Sequence, residues 1–435
     1  MRKFLFVILA AMICIIPAFA RPVQDQSVGE IVVTIPHYRS GENIGAVFFL
    51  PQVERFNQKY AGQYRLIIEE LVQDLYIPRM QLLSQLGRLP ALVDSGSKEW
   101  IEEFIIPYNQ FVDLSALRAG NADIRAFMPQ QSVDFNTHNG RLVSISFPVV
   151  RPIGAFYNPA IFQPSRPFSQ MTWAEVAAEL GDNRIAFMTA ENAWTTMLTL
   201  SSLVAAEPGG AEWLAAGANE NPKHIDFNNP IMINAVTKLQ QLLQNHASAN
   251  TLGAAYADAA NSFMSNRSAV IANGSWMVGD FAPANSANWS SGFNGNTVRG
   301  DVLPGNVVIG GPAVGYGWWI PSTATPREQE LAKAFIEFIY SQEELEAFML
   351  AEGGSVPGLT PSQNFVNASA QRGLLAQYES ASNADTILAY NLGDVIPNSV
   401  FQQDFGRLLP LLIDGTYTPE RFCQELSIRA VEAMR

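Results

Sequence analysis

The chain has 435 residues, of which 27 are Lys or Arg and 40 are Asp or Glu, and its formal net charge is −13. This acidic balance disfavours nucleic acid and anionic membrane surfaces as partners, because both are polyanions. The length is sufficient for two lobes with separate hydrophobic cores.

The N-terminal residues have the pattern of an export signal. Arg2 and Lys3 form a positive start, residues 4–16 are apolar, and Ala18-Phe19-Ala20 is a small-residue cleavage site. The apolar run is too short to span a bilayer as a helix. We therefore predict a signal peptide of residues 1–20, cleaved near Ala20, and a mature protein in the periplasm.

Cysteine and histidine provide little for covalent or metal chemistry. Cys14 raises the alternative of a lipid anchor, but the bulky Met12 and Ile13 precede it where lipid-attachment signals have small residues. The mature chain would keep only Cys423, so no intramolecular disulfide is possible. The four histidines do not have metal-ligand spacing, and we predict neither a metal nor another cofactor.

The first part of the mature chain alternates strands and helices. Apolar patterns predict strands at 31–36, 64–71 and 90–94, with helices at 46–60 and 77–89 between them. A β-α-β-α-β order indicates a parallel sheet with helices on its faces. Ligands bind beyond the carboxyl ends of such strands, so the loops that follow them are predicted to line a site.

A second α/β region begins near residue 140. We predict strands within 140–150, 184–190, 269–276 and 306–321, and helices at 229–247, 326–341 and 418–435. Residues 285–301 are rich in Asn, Gly and Ser and are interpreted as a surface loop or crossover. The two regions predict an α/β protein of two lobes.

Two tryptophans stand in polar surroundings. Trp276 follows the small residues of Asn-Gly-Ser, and Trp194 ends the sequence Glu-Asn-Ala-Trp. An indole stacks on the C–H face of a sugar ring, while carboxylates and amides bind its hydroxyls. A place in the core is the alternative for each, since tryptophan is mostly buried. We interpret Trp194 and Trp276 as candidate sugar-binding residues.

No catalytic residue is predicted. The sequence contains no GxSxG, HExxH or Walker motif. The adjacent pairs Glu69-Glu70 and Glu102-Glu103 point apart on a strand or a helix, so neither pair indicates an acid and a base. An exported glycosidase stays as a distant alternative, which would need two carboxylates ~5 to 10 Å apart across a cleft.

Five segments in a fixed order carry a family resemblance: 35–60, 141–162 with Tyr157-Asn158, 262–276 ending in Gly274-Ser275-Trp276, 310–341 and 353–358. Over nearly its whole length the chain resembles the sugar-type extracellular solute-binding proteins of bacterial ABC importers, such as the maltose and glycerol 3-phosphate types. Ala155 departs from the family's larger apolar residue, and Phe-Pro replaces the commoner Pro-Phe order. Both departures lie in the segment that crosses into the second lobe.

The resemblance implies two α/β lobes joined by crossing strands, a ligand held between them and no catalysis. It implies a first lobe of 21–138 plus about 283–345, and a second of 139–282 plus about 346–435. We expect a monomer that delivers a sugar or polyol to the importer's permease subunits. The ligand-binding residues that it implies are Tyr38, Arg39, Glu42, Asp94, Ser95, Tyr157, Trp194, Trp276, Gly311, Tyr316 and Ser355.

Two alternatives remain within the binding class. Relatives of this family bind glycerol 3-phosphate, and a phosphate would require Arg or Lys in the cleft, for which Arg39 and Arg151 are candidates. A solvent-facing position is the other interpretation of each arginine. A sensory subunit without a transport role would have the same sequence features.

Overall fold

The computed structural model describes residues 29–41, 45–72, 75–95, 100–190, 192–219, 226–310 and 315–434. The predicted signal peptide, 1–20, lies outside these ranges, as do the predicted site residues Glu42 and Gly311.

The described residues form short strands and many helices. The strands are Ile31–His37, Tyr64–Glu70, Val93–Asp94, Thr137–His138, Arg141–Leu142, Ile153–Tyr157, Ile185–Ala186, Val270–Gly274, Arg299–Asp301, Val307–Ile309, Trp318–Trp319 and Ile387–Ala389. The α-helices are Ala46–Lys59, Tyr76–Gln85, Ser115–Gly120, Ala122–Phe127, Gln130–Asn136, Trp173–Leu180, Trp194–Ala205, Gly210–Asn219, Pro230–His246, Tyr256–Phe263, Pro326–Ile339, Gln342–Glu352, Gln363–Ser369, Leu374–Glu379, Phe405–Ile413 and Pro419–Ala433. Short 3₁₀ turns are Phe168–Gln170, Ser275–Phe281, Pro283–Asn288, Gly295–Thr297 and Leu392–Asp394, and π-helical turns are Ile101–Ile105 and Val400–Asp404.

The first lobe is built on two parallel strands, Ile31–His37 and Tyr64–Glu70. The third predicted strand of that sheet is absent from its expected place among the described residues. Of 90–94 only Val93–Asp94 is extended, and it pairs antiparallel with Trp318–Trp319. Pro90 has no N–H to donate, and the returning strand takes the position beside Val93–Asp94. The parallel order was therefore right for two strands and wrong for the third.

The core of the first lobe lies between this small sheet and its helices. Phe49 and Phe56 from the helix Ala46–Lys59 pack edge-on against Phe335 from Pro326–Ile339, and Trp318 completes the contact. All four side chains are buried. Burial of aromatic side chains of this size is a main source of stability.

The second lobe contains the larger sheet. Ile153–Tyr157 lies antiparallel to Val270–Gly274, which in turn lies parallel to Ile185–Ala186. On the other side Ile153–Tyr157 pairs with Val307–Ile309 and with Arg299–Asp301. The strand Val270–Gly274 is buried along its whole length, as expected for a central strand covered on both faces.

The predicted helix at 229–247 shows how the sequence determines a helix that packs on the core of the second lobe. The Asn229 side chain accepts a hydrogen bond from the Met232 N–H, and Pro230 occupies the first helical position. Val236, Leu239 and Leu243 recur at helical spacing and are buried against the second core. The helix is observed at Pro230–His246, which confirms its prediction to within one residue.

The packing requires a correction to the predicted lobe boundaries. Residues 283–309 were assigned to the first lobe, but Phe293 and Val298 pack with Phe156, and 302–309 join the second core. Pairing of Arg299–Asp301 with Ile153–Tyr157 holds this segment to the second sheet. Phe348 and Met349, which were predicted for the second lobe, pack in the first core. We propose lobes of about 29–148 plus 316–359, and about 152–309 plus 374–434.

Candidate functional site

The register of the second sheet brings Arg151 and Trp276 to one edge. Ile153 lies opposite Gly274 in the antiparallel pair, so two residues before the first and two after the second meet at the same end. Ile185–Ala186 runs parallel to Val270–Gly274, so the segment leading to Trp194 leaves the sheet at this end too. This edge is where ligands bind in open α/β sheets.

In the first lobe the strand Ile31–His37 ends at its carboxyl edge with Tyr38 and Arg39. Both side chains are half-buried and face the edge of the second lobe that carries Trp276. The two carboxyl edges therefore meet across one opening, which we call the cleft. The cleft contains a cavity of about 330 Å³. The residues that line this cavity are Tyr38, Arg39, Gly45, Arg151, Asn192, Trp194, Trp276, Glu352, Phe401 and Gln402.

The indole of Trp276 lies directly on the end of the preceding strand, Val270–Gly274. An ideal Cβ at Gly274 would fall 2.3 Å from Cζ3 of the indole and 2.6 Å from Cε3. The ring thus occupies the space of a side chain at 274, which explains why a small residue precedes it. Its Nε1 is buried and has no hydrogen-bond partner among the described residues.

We predict that Gly274→Ala displaces Trp276 and weakens ligand binding by about tenfold, since the added methyl would overlap the ring and force it out of position. Gly279→Ala is the matched control, because a Cβ there meets nothing within 4 Å. Intrinsic fluorescence and ligand titration of both variants check this. An unchanged affinity for Gly274→Ala would show that this ring position does not matter.

Trp194 is held at the first position of the helix Trp194–Ala205. The preceding Ala193 is left-handed, with φ 47°, and the Asn192 side chain accepts a hydrogen bond from the Trp194 N–H at 3.3 Å. The indole stacks on Tyr256, with centroids 5.1 Å apart, and lies 6.0 Å from the Trp276 ring. The two tryptophans form a continuous aromatic wall.

An ion pair links the lobes beside this wall. Arg151 Nη1 lies 2.8 Å from Glu352 Oε2, at the end of the first-lobe helix Gln342–Glu352. The guanidinium carbon is 4.8 Å from the Trp276 ring and 5.1 Å from the Phe348 ring. Arg151 therefore stacks against an aromatic ring of each lobe, where cation–π attraction adds to the ion pair.

The first-lobe wall carries a second, looser charge contact. Arg39 Nη2 lies 3.9 Å from Asp94 Oδ2, and its guanidinium is 5.5 Å from the Tyr38 ring. A Cβ at Gly45 would lie 3.3 Å from Arg39 Cδ and 3.5 Å from Glu352 Oε1, so the two side chains flank this glycine. The described charges thus alternate along the cleft, with one carboxylate for each arginine.

Amide groups and a further ring complete the cavity. Phe401 and Gln402 project from the π-helical turn Val400–Asp404, and Asn192 Nδ2 donates to Gln402 Oε1 at 3.2 Å. π-turns commonly occur at functional sites. The sequence gives no local signal for this pair, since neither residue belongs to a recognised motif.

The structure brings four of the predicted residues together. Tyr38, Arg39, Trp194 and Trp276 all line the cavity, although their contact with a ligand stays a prediction. Asp94 lies behind Arg39 and is 7% exposed.

Two other predicted residues, Ser95 and Ser355, serve the framework. Ser95 accepts a hydrogen bond from Trp319 Nε1 through its carbonyl. Ser355 exchanges backbone hydrogen bonds with Val150 where the chain crosses between lobes. It lines a separate cavity of about 280 Å³.

The structure places Tyr157 and Tyr316 away from this cavity, and their contact with a ligand stays a prediction. Tyr157 lies at the far end of its strand, about 13 Å from Ile153 at 3.3 Å per residue, and packs on Phe162 and Phe168. Tyr316 is buried in the first lobe, with its hydroxyl 2.9 Å from His138 Nε2. Both are held by core packing and do not line the cavity.

Three cavity residues had a partial signal in the sequence. Arg151 was noted only as a phosphate candidate, Glu352 directly precedes the Gly-Gly-Ser segment, and Asn192 lies within the motif of Trp194. Within the described ranges no group of three His, Cys, Asp or Glu residues could hold a metal ion. None of the helices described has both the length and the apolar character needed to cross a membrane.

Solved structures similar to this chain share its two-lobed architecture. A chitin oligosaccharide binding protein is 17% identical, with a TM-score of 0.72, covering 93% of this chain and 99% of its own. A Streptococcus pneumoniae solute-binding protein, solved with the blood group A-trisaccharide, is 14% identical, with a TM-score of 0.67 and coverages of 93% and 100%. The GacH receptor of Streptomyces glaucescens is 13% identical, with a TM-score of 0.65 and coverages of 94% and 99%.

These likenesses confirm the predicted two-lobed α/β fold. No protein with a curated description matches the chain. The family model described as bacterial extracellular solute-binding protein matches residues 52–374, well over half of the sequence. The chain therefore belongs to the bacterial extracellular solute-binding protein family.

Proposed function

We propose that this protein captures a carbohydrate in the cleft between its lobes and delivers it to the permease of a bacterial ABC importer. The observation that carries the proposal is the cavity wall, where Trp194 and Trp276 adjoin amide and charged groups of both lobes. We propose that the protein is exported, with its signal peptide cleaved near Ala20, and that it acts as a monomer without catalysis.

The cavity matches the two chemical faces of a sugar. The C–H groups of a pyranose ring pack on indole rings, while its hydroxyls both donate and accept hydrogen bonds. Glu352 and the amide oxygens can accept, and Arg39 and Arg151 can donate. Trp276 Nε1, unpaired among the described residues, would gain an acceptor from a sugar hydroxyl.

The names of similar structures support a sugar ligand. Besides the chitin oligosaccharide binding protein, they include a protein in complex with raffinose and an ABC transporter solute-binding protein bound to tagatose. These last two proteins are 15% and 16% identical to this chain. Likeness at this level shows a shared fold and only suggests the ligand class.

Charge balance favours a neutral ligand over a phosphorylated polyol. Each cavity arginine has a carboxylate partner, Glu352 for Arg151 and Asp94 for Arg39. A phosphate would have to compete with these carboxylates for the guanidinium groups. Asp94 and Glu352 are both paired with an arginine, so neither carboxylate is distinguished as a proton donor for glycoside cleavage.

Capture would follow from closure of the lobes around the ligand. Tyr38 and Arg39 come from the first lobe, whereas Trp194 and Trp276 come from the second. A sugar touching both walls binds the closed form better and shifts the population toward it. The closed form would be the one recognised by the permease.

Thermal unfolding with a ligand panel tests the proposal. The panel holds raffinose, chitin oligosaccharides, the blood group A-trisaccharide, tagatose and glycerol 3-phosphate. A bound sugar at 100 times its Kd should stabilise the fold by about 2.7 kcal/mol. A shift with glycerol 3-phosphate alone would replace the proposed ligand class, and release of a shortened sugar would indicate a hydrolase. If no sugar in the panel raises the unfolding temperature, the proposal is contradicted.

A further inference from the structure

A buried histidine lies directly behind the first-lobe wall of the cleft. His37 immediately precedes Tyr38 and Arg39 and has no solvent exposure. Its imidazole packs against aromatic rings, with centroids 4.4 Å from Phe49 and 5.4 Å from Trp318. This enclosure fixes the ring plane, so its two nitrogens have defined directions.

Both nitrogens of His37 are occupied. The backbone N–H of Arg39 donates to Nδ1 at 3.0 Å, so Nδ1 is the acceptor. The proton of the neutral ring must then be on Nε2, which lies 3.2 Å from Asp94 Oδ2 and donates to it. Burial is the main reason why the pKa of His37 is lowered, and the Asp94 carboxylate opposes this only in part. The ring is therefore neutral.

Asp94 is held from several sides. Its Oδ2 faces His37 and, at 3.9 Å, the Arg39 guanidinium, while its backbone N–H donates to the Tyr76 hydroxyl at 2.9 Å. The Tyr38 hydroxyl is a further titratable group nearby. Burial alone would raise the pKa of Asp94, but the His37 hydrogen bond and the Arg39 charge outweigh it and lower the pKa. A buried carboxylate of this kind is stable only while its donors remain in place.

We infer that His37 is a positioning residue for the binding cleft: it contacts no ligand, but its Nε2–H fixes the Asp94 carboxylate that holds Arg39 at the cavity wall. Asp94 then acts mainly on Arg39, which refines its predicted role as a direct sugar contact. The effect on sugar affinity rests on the proposed function, whereas the His37–Asp94 link does not.

Two substitutions separate the hydrogen bond from the packing. His37→Phe keeps an aromatic ring among Phe49 and Trp318 but removes both nitrogens. His37→Gln places an amide N–H where Nε2 stood and so can still donate to Asp94. His37→Gln therefore loses the ring stacking but keeps a donor to Asp94. His37→Phe keeps a ring but loses that donor.

Ligand-free NMR tests the inference directly. In the unmodified protein the ¹⁵N spectrum of His37 should show a proton on Nε2 and none on Nδ1. In His37→Phe the titration midpoint of the Asp94 carboxyl, identified with Asp94→Asn, should rise by about one pH unit or more, and in His37→Gln it should stay near the original value. A proton on Nδ1, or an unchanged midpoint in His37→Phe, would overturn the inference.

A double-mutant cycle tests the route through Arg39 with the sugar that gives the largest shift in the thermal panel. His37→Phe should lower affinity about tenfold in the original background but less than about twofold in Arg39→Ala. An equal loss in both backgrounds would show that His37 acts by another route. If no sugar in the panel binds, the proposed function fails while the ligand-free spectra still decide the inference.

Discussion

Replacing Trp276 with alanine is expected to weaken sugar binding by about 2 to 3 kcal/mol, or roughly 30- to 150-fold in Kd. The indole forms part of the cavity wall, adjoins Trp194 at 6.0 Å and supports the Arg151 guanidinium at 4.8 Å. Its removal takes away stacking surface and the support of a charged donor together. Isothermal titration calorimetry with a sugar identified in the thermal panel measures the loss.

The design of this test separates binding from packing. Trp213→Ala is the matched control, because Trp213 packs edge-on to Phe227 within the second lobe and does not line the cavity. Trp276→Phe keeps a ring and removes the indole N–H, so it should fall between the original protein and the alanine variant. Equal affinities for Trp276→Ala and the original protein would exclude this wall as the sugar site.

Arg151→Ala is expected to lower the free energy of unfolding by about 2 kcal/mol and to weaken sugar binding as well. The change leaves Glu352 without its ion-pair partner and removes the guanidinium group that stacks on both Trp276 and Phe348. The expected loss of unfolding free energy is smaller than for a fully buried ion pair, because the side chains of Arg151 and Glu352 are 24% and 12% exposed. Chemical denaturation measures the stability, and titration measures the affinity.

A surface pair provides the control. Arg166 and Glu175 make a comparable contact at 3.0 Å, but both side chains are nearly half exposed. Arg166→Ala should therefore change stability by about 0.5 kcal/mol or less. If Arg151→Ala costs no more than Arg166→Ala, Arg151 does not link the lobes as the geometry indicates.

The parts of the site that local sequence could predict are those built within one short segment. The Asn-Gly-Ser-Trp motif made Trp276 a candidate sugar-binding residue, and the structure places its partly buried ring against Gly274 at the cavity wall. Strand periodicity located Ile31–His37, after which Tyr38 and Arg39 enter the cleft. The helix predicted at 229–247 is likewise observed, at Pro230–His246.

The parts that sequence missed depend on contacts between distant segments. Glu352 is 201 residues from Arg151 in the chain, and Gln402 is 210 from Asn192. No local pattern records such pairs. Tyr157 was placed in the site by its motif, but the antiparallel register sends it to the far end of the strand. The lobe boundary that we propose differs from the predicted one for a related reason, since Arg299–Asp301 pairs with a strand far earlier in the chain.

The central claim is that a sugar binds between the lobes against Trp194 and Trp276. Intrinsic tryptophan fluorescence, titrated with the same neutral sugars, tests it most directly. We predict a saturable change with a micromolar Kd that is lost in the double variant Trp194→Ala, Trp276→Ala and kept in Trp213→Ala. A sugar that still binds the double variant with its original affinity would contradict the claim.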